Sequence, residues 1–71
     1  MEQESAESQF KLGTMYEKGR GVPQDYATAV KWYRKAAQQG YAKSQYTLGK
    51  MYEYGLGVPK DYAIAFSWVK K

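Results

Sequence analysis

The chain repeats itself with a period of 36 residues, and nothing else in the sequence restricts the fold as much. Displaced by one period, Ala6 falls on Ala42, Ser8-Gln9 on Ser44-Gln45, Leu12-Gly13 on Leu48-Gly49, and Met15-Tyr16-Glu17 on Met51-Tyr52-Glu53. Gly19 falls on Gly55, Gly21-Val22-Pro23 on Gly57-Val58-Pro59, and Asp25-Tyr26-Ala27 on Asp61-Tyr62-Ala63. Ala29, Trp32 and Lys35 fall on Ala65, Trp68 and Lys71, so that roughly 18 of about 30 aligned positions are identical. A period in the thirties with helical patterning predicts a solenoid of helical hairpins, in which each unit completes its core by stacking on its neighbour.

Each unit reads helix, loop, helix. Helix A of the first unit covers about Ala6 to Lys18. At about 100° per residue, Ala6, Gln9, Leu12, Gly13 and Tyr16 share one side and Lys11, Thr14 and Lys18 lie opposite. The segment Gly19-Arg20-Gly21-Val22-Pro23 breaks the helix, because its glycines permit positive φ and Pro23 cannot continue it. Asp25 then opens helix B as an N-cap or a first-turn acid. Helix B is expected to bury Ala29, Trp32, Tyr33 and Ala36 and to expose Thr28, Lys31, Arg34 and Lys35, and Gly40 stops it. The second unit repeats this from Ala42 to Lys71. Gly13 and Gly49, inside helix A, each cost about 1 kcal/mol relative to alanine. Their recurrence implies close approach of helix A to Ala29 and Ala65 on helix B.

Composition narrows the chemistry. A chain of 71 residues forms one small domain. Repeat one is placed at about residues 5–40 and repeat two at about 41–71. With no Cys there are no disulfides, thiolate nucleophiles or zinc–sulfur sites, and with no His the commonest general base and metal ligand are missing. No cofactor and no metal are implied. Eight Tyr and two Trp predict a core built from rings. Met1-Glu2-Gln3-Glu4-Ser5 is acidic and polar, unlike a signal peptide. No apolar run approaches the ~20 residues of a membrane span. The compartment is left open.

The string Leu12-Gly13-Thr14-Met15-Tyr16-Glu17-Lys18-Gly19-Arg20-Gly21-Val22, followed by Asp25, Ala29, Trp32 through Ala37 and Gly40, resembles the Sel-one-like repeat family. The second copy carries the same pattern in Leu48-Gly49, Gly57-Val58, Asp61, Ala65 and Trp68. The tetratricopeptide repeat is a cousin with a shorter period and without the Gly-x-Gly-Val loop. The resemblance implies an all-α fold, an α/α superhelix of two helix-turn-helix repeats with four helices, and a scaffold or adaptor role in protein complexes. The second unit lacks the Ala-Ala-x-x-Gly tail that Ala36 to Gly40 supply to the first. Its last helix is therefore expected to fray, with an apolar edge that seeks cover.

Comparing the copies with each other picks out a surface. In helix A the differing pairs are Glu7/Lys43, Lys11/Thr47, Thr14/Lys50 and Lys18/Tyr54, with Phe10/Tyr46 a mild difference. The first four fall within an arc of roughly 60°. The shared side should pack and the differing side face solvent, and in solenoids of this kind helix A lines the concave surface. Lys11, Thr14, Lys18, Thr47, Lys50 and Tyr54 are the expected partner contacts, with Tyr54 foremost as an exposed aromatic. Leu12, Gly13, Tyr16, Ala29, Trp32, Leu48, Gly49, Tyr52, Ala65 and Trp68 are assigned to structure. Trp32 and Trp68 are read as core and not as a ligand-stacking pair, and Tyr16, Tyr26, Tyr52 and Tyr62 likewise.

The leading reading is a module that binds a protein or peptide. A self-associating segment of a longer array comes second. Glu2, Glu4 and Glu7 at one end and Lys70 and Lys71 at the other would favour head-to-tail or helix-exchanged association. A hydrolase would need a Ser–Lys or carboxylate pair, and Ser44 has Lys43 only as a sequence neighbour that does not face it. The basic strip Lys31, Arg34 and Lys35, extended by Lys70 and Lys71, suits an acidic protein or nucleic acid, but stacking aromatics are expected to be buried and nucleic acid ranks behind protein.

Overall fold

The computed structural model describes residues 5–70, which form four helices and no strand: α1 Ala6–Lys18, α2 Tyr26–Gln38, α3 Ala42–Tyr54 and α4 Tyr62–Lys70. They pack in chain order, α1 on α2, α2 on α3 and α3 on α4, as two stacked hairpins in a superhelical repeat. The body measures 33 × 25 × 17 Å.

The ends of the helices follow the local chemistry of the sequence. Ser5 caps α1 by accepting from the Ser8 N–H. The Asp25 carboxylate accepts from both the Thr28 N–H and its hydroxyl, at 3.3 and 2.9 Å, and so caps α2 as the sequence predicts. Asp61 accepts from Ala63 and Ile64 in the same way at the start of α4. The A helices end on Gly19 and Gly55, whose φ values of 69° and 70° lie in the left-handed region. The chain then folds back through a bond found in both repeats: the Asp25 N–H donates to the Tyr16 carbonyl and the Asp61 N–H to the Tyr52 carbonyl.

Ala29, Val30, Tyr33 and Ala37 of α2 meet Leu48 and Met51 of α3 in one buried cluster. The core thus lies between the repeats as much as within them, and α2 is its central element. Gln9 is buried on the packing side of α1, as expected, and its carbonyl oxygen accepts from Gln39 Nε2 at 2.7 Å.

Several expectations are corrected. The core is mainly aliphatic: Tyr33 is its buried ring, and Phe10, Tyr16, Tyr26, Tyr52 and Trp68 pack around it half-buried. Trp32 is half-buried with the Lys35 ammonium 4.7 Å from its ring centroid, because the turn of α2 aims Tyr33 into the interior in its place. Leu12 is only half-buried, whereas its counterpart Leu48 is fully enclosed. Tyr62 is exposed and not core: it borders an open groove beside Tyr46 and Lys50 of α3 that no side chain fills. Thr28 and Arg34 are half-buried, not exposed: Thr28 is held by the Asp25 cap, and Arg34 donates to the Tyr52 hydroxyl across the repeat boundary at 2.6 Å. Gly13 faces the Tyr33 ring, which a Cβ there would meet at 2.7 Å, so the closest approach at this position is to Tyr33. At Gly49 a Cβ would lie 2.8 Å from Val69 and 3.0 Å from the Ala65 carbonyl, in line with the expected approach. Helix α4 continues to Lys70; Glu2, Glu4 and Lys71 lie outside the described residues.

Candidate functional site

On the A helices most of the residues in which the two copies differ, Glu7, Lys11, Lys18, Lys43 and Tyr54 among them, are exposed. On α3, Tyr46, Lys50 and Tyr54 stand one turn apart and form a ladder. The Lys50 ammonium lies 5.4 Å from the Tyr46 ring centroid and 5.9 Å from that of Tyr54, and 3.3 Å from a Glu53 carboxylate oxygen. Hydrogen bonding to Glu53 holds the Lys50 pKa above its ordinary value. The lysine is thereby fixed between two rings with its charge retained, and Tyr54 is 61% exposed at the end of the ladder. An exposed ring beside an oriented cation can take up an apolar side chain on its face and an acidic group on its edge.

The other residues singled out by the comparison of the copies occupy different settings. Lys11 and Lys18 are exposed on α1, and Lys11 pairs with Glu7 at 3.8 Å. Thr47 is half-buried and its hydroxyl donates to the Lys43 carbonyl. Thr14 is turned partly inward: its hydroxyl donates to the Phe10 carbonyl and lies 3.2 Å from the Tyr33 hydroxyl. It supports the hairpin rather than standing open on the surface. Lys50 and Tyr54 form the tightest group, and Lys11 and Lys18 lie on the preceding A helix.

A groove of 560 Å³ runs beside this ladder, lined by Tyr46, Lys50, Tyr62, Ala65, Phe66 and Val69 among others. Sequence reasoning expected an apolar edge on the last helix, but not a groove. The signal lay in the period, which sets Phe66 on Val30 and Val69 on Tyr33, apolar on apolar, without stating what would cover the second pair.

The α2 strip is broken up in the structure. Lys31 and Lys35 are exposed, but Arg34 is engaged with Tyr52 and Lys35 lies over Trp32. Ser44, the hydroxyl nearest to a lysine in sequence, is fully buried and donates to the Tyr41 carbonyl at 2.8 Å, a back-bond that anchors the first turn of α3. Asp25 and Asp61 both serve as caps; hydrogen bonding from Thr28 draws the Asp25 pKa below its ordinary value.

The repeat model described as Sel1 matches this chain twice, over residues 6–41 and 42–71. A crystal structure of a Sel1 repeat protein from Oxalobacter formigenes superposes with a TM-score of 0.90 at 46% identity, over 92% of this chain and 50% of that one. A protective antigen present in uropathogenic Escherichia coli strains and displaying an SLR fold superposes with a TM-score of 0.88 at 48% identity, over 89% of this chain and 14% of that one. The chain therefore spans half the length of the first structure and a smaller part of the second. No curated protein sequence matches it.

Proposed function

Because this chain belongs to the Sel1 repeat family, a family of helical-repeat scaffolds that commonly serve as protein–protein interaction modules, we propose that it holds a protein or peptide partner on the exposed, concave face of its A helices. The observation that carries the reading is the Tyr46–Lys50–Tyr54 ladder, in which an exposed aromatic and a cation fixed by Glu53 stand ready in one orientation. Little side-chain freedom remains to be lost on binding at such a site. Lys11 and Lys18 on α1 extend the same face with positive charge, which suits a peptide that pairs an apolar side chain with acidic neighbours.

The test is a peptide-display selection against the chain, followed by affinity measurement on single variants. Peptides selected by the wild type should bind Tyr54→Ala about thirtyfold more weakly, the loss expected of an interfacial hot spot. Lys50→Ala should lose less and remove most of the salt dependence, while Lys31→Ala on α2 should bind as the wild type does. Unchanged affinity in Tyr54→Ala and Lys50→Ala, with helix content intact, would refute the assignment.

A further inference from the structure

The two hairpins share a register but fill it differently. In the first, the ring of Tyr33 lies over Gly13, where a Cβ would meet it at 2.7 Å. The ring packs against Phe10, with 5.4 Å between centroids. Its hydroxyl donates to Glu17 and lies 3.2 Å from the Thr14 hydroxyl. Tyr33 is 1% exposed in this seat. One period on, the positions around the ring are held by Tyr46, Gly49, Lys50 and Glu53, and the place of Tyr33 itself is held by Val69. Val69 lies over Gly49 as Tyr33 lies over Gly13, 2.8 Å from a Cβ placed there. A valine has neither a ring to set against Tyr46 nor a hydroxyl to extend to Glu53.

The groove between α3 and α4 is the space that such a ring would take. It measures 560 Å³ and runs between Tyr46, Lys50 and Glu53 on one side and Ala65 and Val69 on the other. Pockets that hold ligands span about 300–1,000 Å³. Phe10 is half-buried against the rings of Tyr33 and Tyr41, whereas its counterpart Tyr46 is 54% exposed. The polar end has changed along with the apolar one. Glu17 accepts from the Tyr33 hydroxyl, and Glu53 accepts instead from the Lys50 ammonium, through Oε1 at 3.3 Å. A carboxylate accepts at both oxygens, so Glu53 can take a hydroxyl beside Lys50. The difference between the hairpins thus lies in the residue types at positions 33 and 69, each facing the glycine of its own A helix.

We propose that the groove seats one tyrosine side chain of a partner peptide, its ring against Tyr46 and Val69 and its hydroxyl donating to Glu53, as Tyr33 does for Glu17 within the first hairpin. The proposal rests on the A-helix reading above, whose Tyr46 and Lys50 border the groove, and it names the side chain that anchors there. Two arguments choose this occupant. The first hairpin already holds a tyrosine in the equivalent seat. The charges at the groove also complement a tyrosine with an acidic neighbour: Glu53 accepts from the phenol, and the Lys50 ammonium faces the neighbouring carboxylate. A ring buried in this way supplies area at little cost in side-chain freedom.

The probe is the set of peptides selected by display on the whole 71-residue chain. They should share one tyrosine. Its replacement by phenylalanine in a selected peptide should weaken binding about tenfold, the loss expected for one hydrogen bond to a charged group. Replacement by alanine should weaken it about a hundredfold. The phenylalanine penalty should disappear against Glu53→Ala, because the acceptor is gone. Val69→Tyr gives the second hairpin the ring that the first already has. It should keep its helix content and reject the peptides, although Lys50 and Tyr54 are unaltered. Peptides without a common tyrosine, a phenylalanine penalty that persists in Glu53→Ala, or wild-type affinity in Val69→Tyr would each overturn the proposal. Wild-type affinity in Val69→Tyr beside weak binding in Tyr54→Ala would leave the A-helix reading standing alone, and wild-type affinity in both would remove the two together.

Discussion

Tyr33 ties α2 to α1 and belongs to the core cluster that α3 completes. Its ring fills the space left by Gly13, and its hydroxyl donates to Glu17 Oε1 at 2.5 Å with Thr14 alongside. Burial, and after it the hydrogen bond to Glu17, raises the phenol pKa well above its ordinary value of 10.0. A pKa raised by folding gives stability that is complete below the unfolded value and is lost as pH rises beyond it, because the unfolded chain releases the proton first. The fold should therefore weaken above about pH 10. Tyrosinate absorbance followed alongside helix content should show one phenolate appearing together with unfolding, and Tyr33→Phe should lack that step. A phenolate of Tyr33 formed while the helices persist would show the ring to be open to water. Lys50 has the same sign through Glu53, but it lies in solvent, where screening reduces its effect. Sequence could not choose between Trp32 and Tyr33 for this place, as both lie on the apolar stripe of a helix that touches α1 and α3. Nor could it show that Thr14 and Arg34, polar residues that read as solvent-facing, find hydroxyl partners at the edge of the core.

The helices and their loops were the most legible elements. The range Ala6–Lys18 for α1, the stop at Gly19 and the Asp25 cap all follow from short-range chemistry, and the second copy repeats them. One pair of loop residues separates local strain from packing between elements. Gly21 and Gly57 share a φ of 77°, so alanine is strained at either, by about 1–2 kcal/mol. Only at Gly57 would the added carbon also press on the backbone of Tyr26 and Ala27. Urea denaturation at low protein concentration should thus find Gly57→Ala the more destabilising, by a further 1 kcal/mol or so at least. Equal losses would mean that the loop of the second repeat does not hold the two hairpins together. The same dependence on neighbours explains Tyr62. It is identical to Tyr26 and one period away, yet exposed: the Gly57 loop of the second repeat lies against the Tyr26 backbone, and burial in a stack depends on such neighbours as well as on the residue itself.

Over the whole molecule, the two hairpins make one continuous core and leave two kinds of surface: A-helix positions at which the copies have diverged in polar residues, and an apolar groove between α3 and α4. The first was legible from differences between the copies. The second was legible only as an apolar edge on the last helix, because Phe66 and Val69 fall on the buried Val30 and Tyr33 and so read as core. This division gives the central claim, that partners are taken on the A-helix face, and backbone amide shifts of the isotope-labelled chain test it most directly. During titration with a selected peptide, shifts should concentrate at Lys11, Lys18, Thr47, Lys50 and Tyr54, and the α2 strip at Lys31 and Lys35 should be unmoved. Shifts centred on that strip, with Lys50 and Tyr54 silent, would contradict the account.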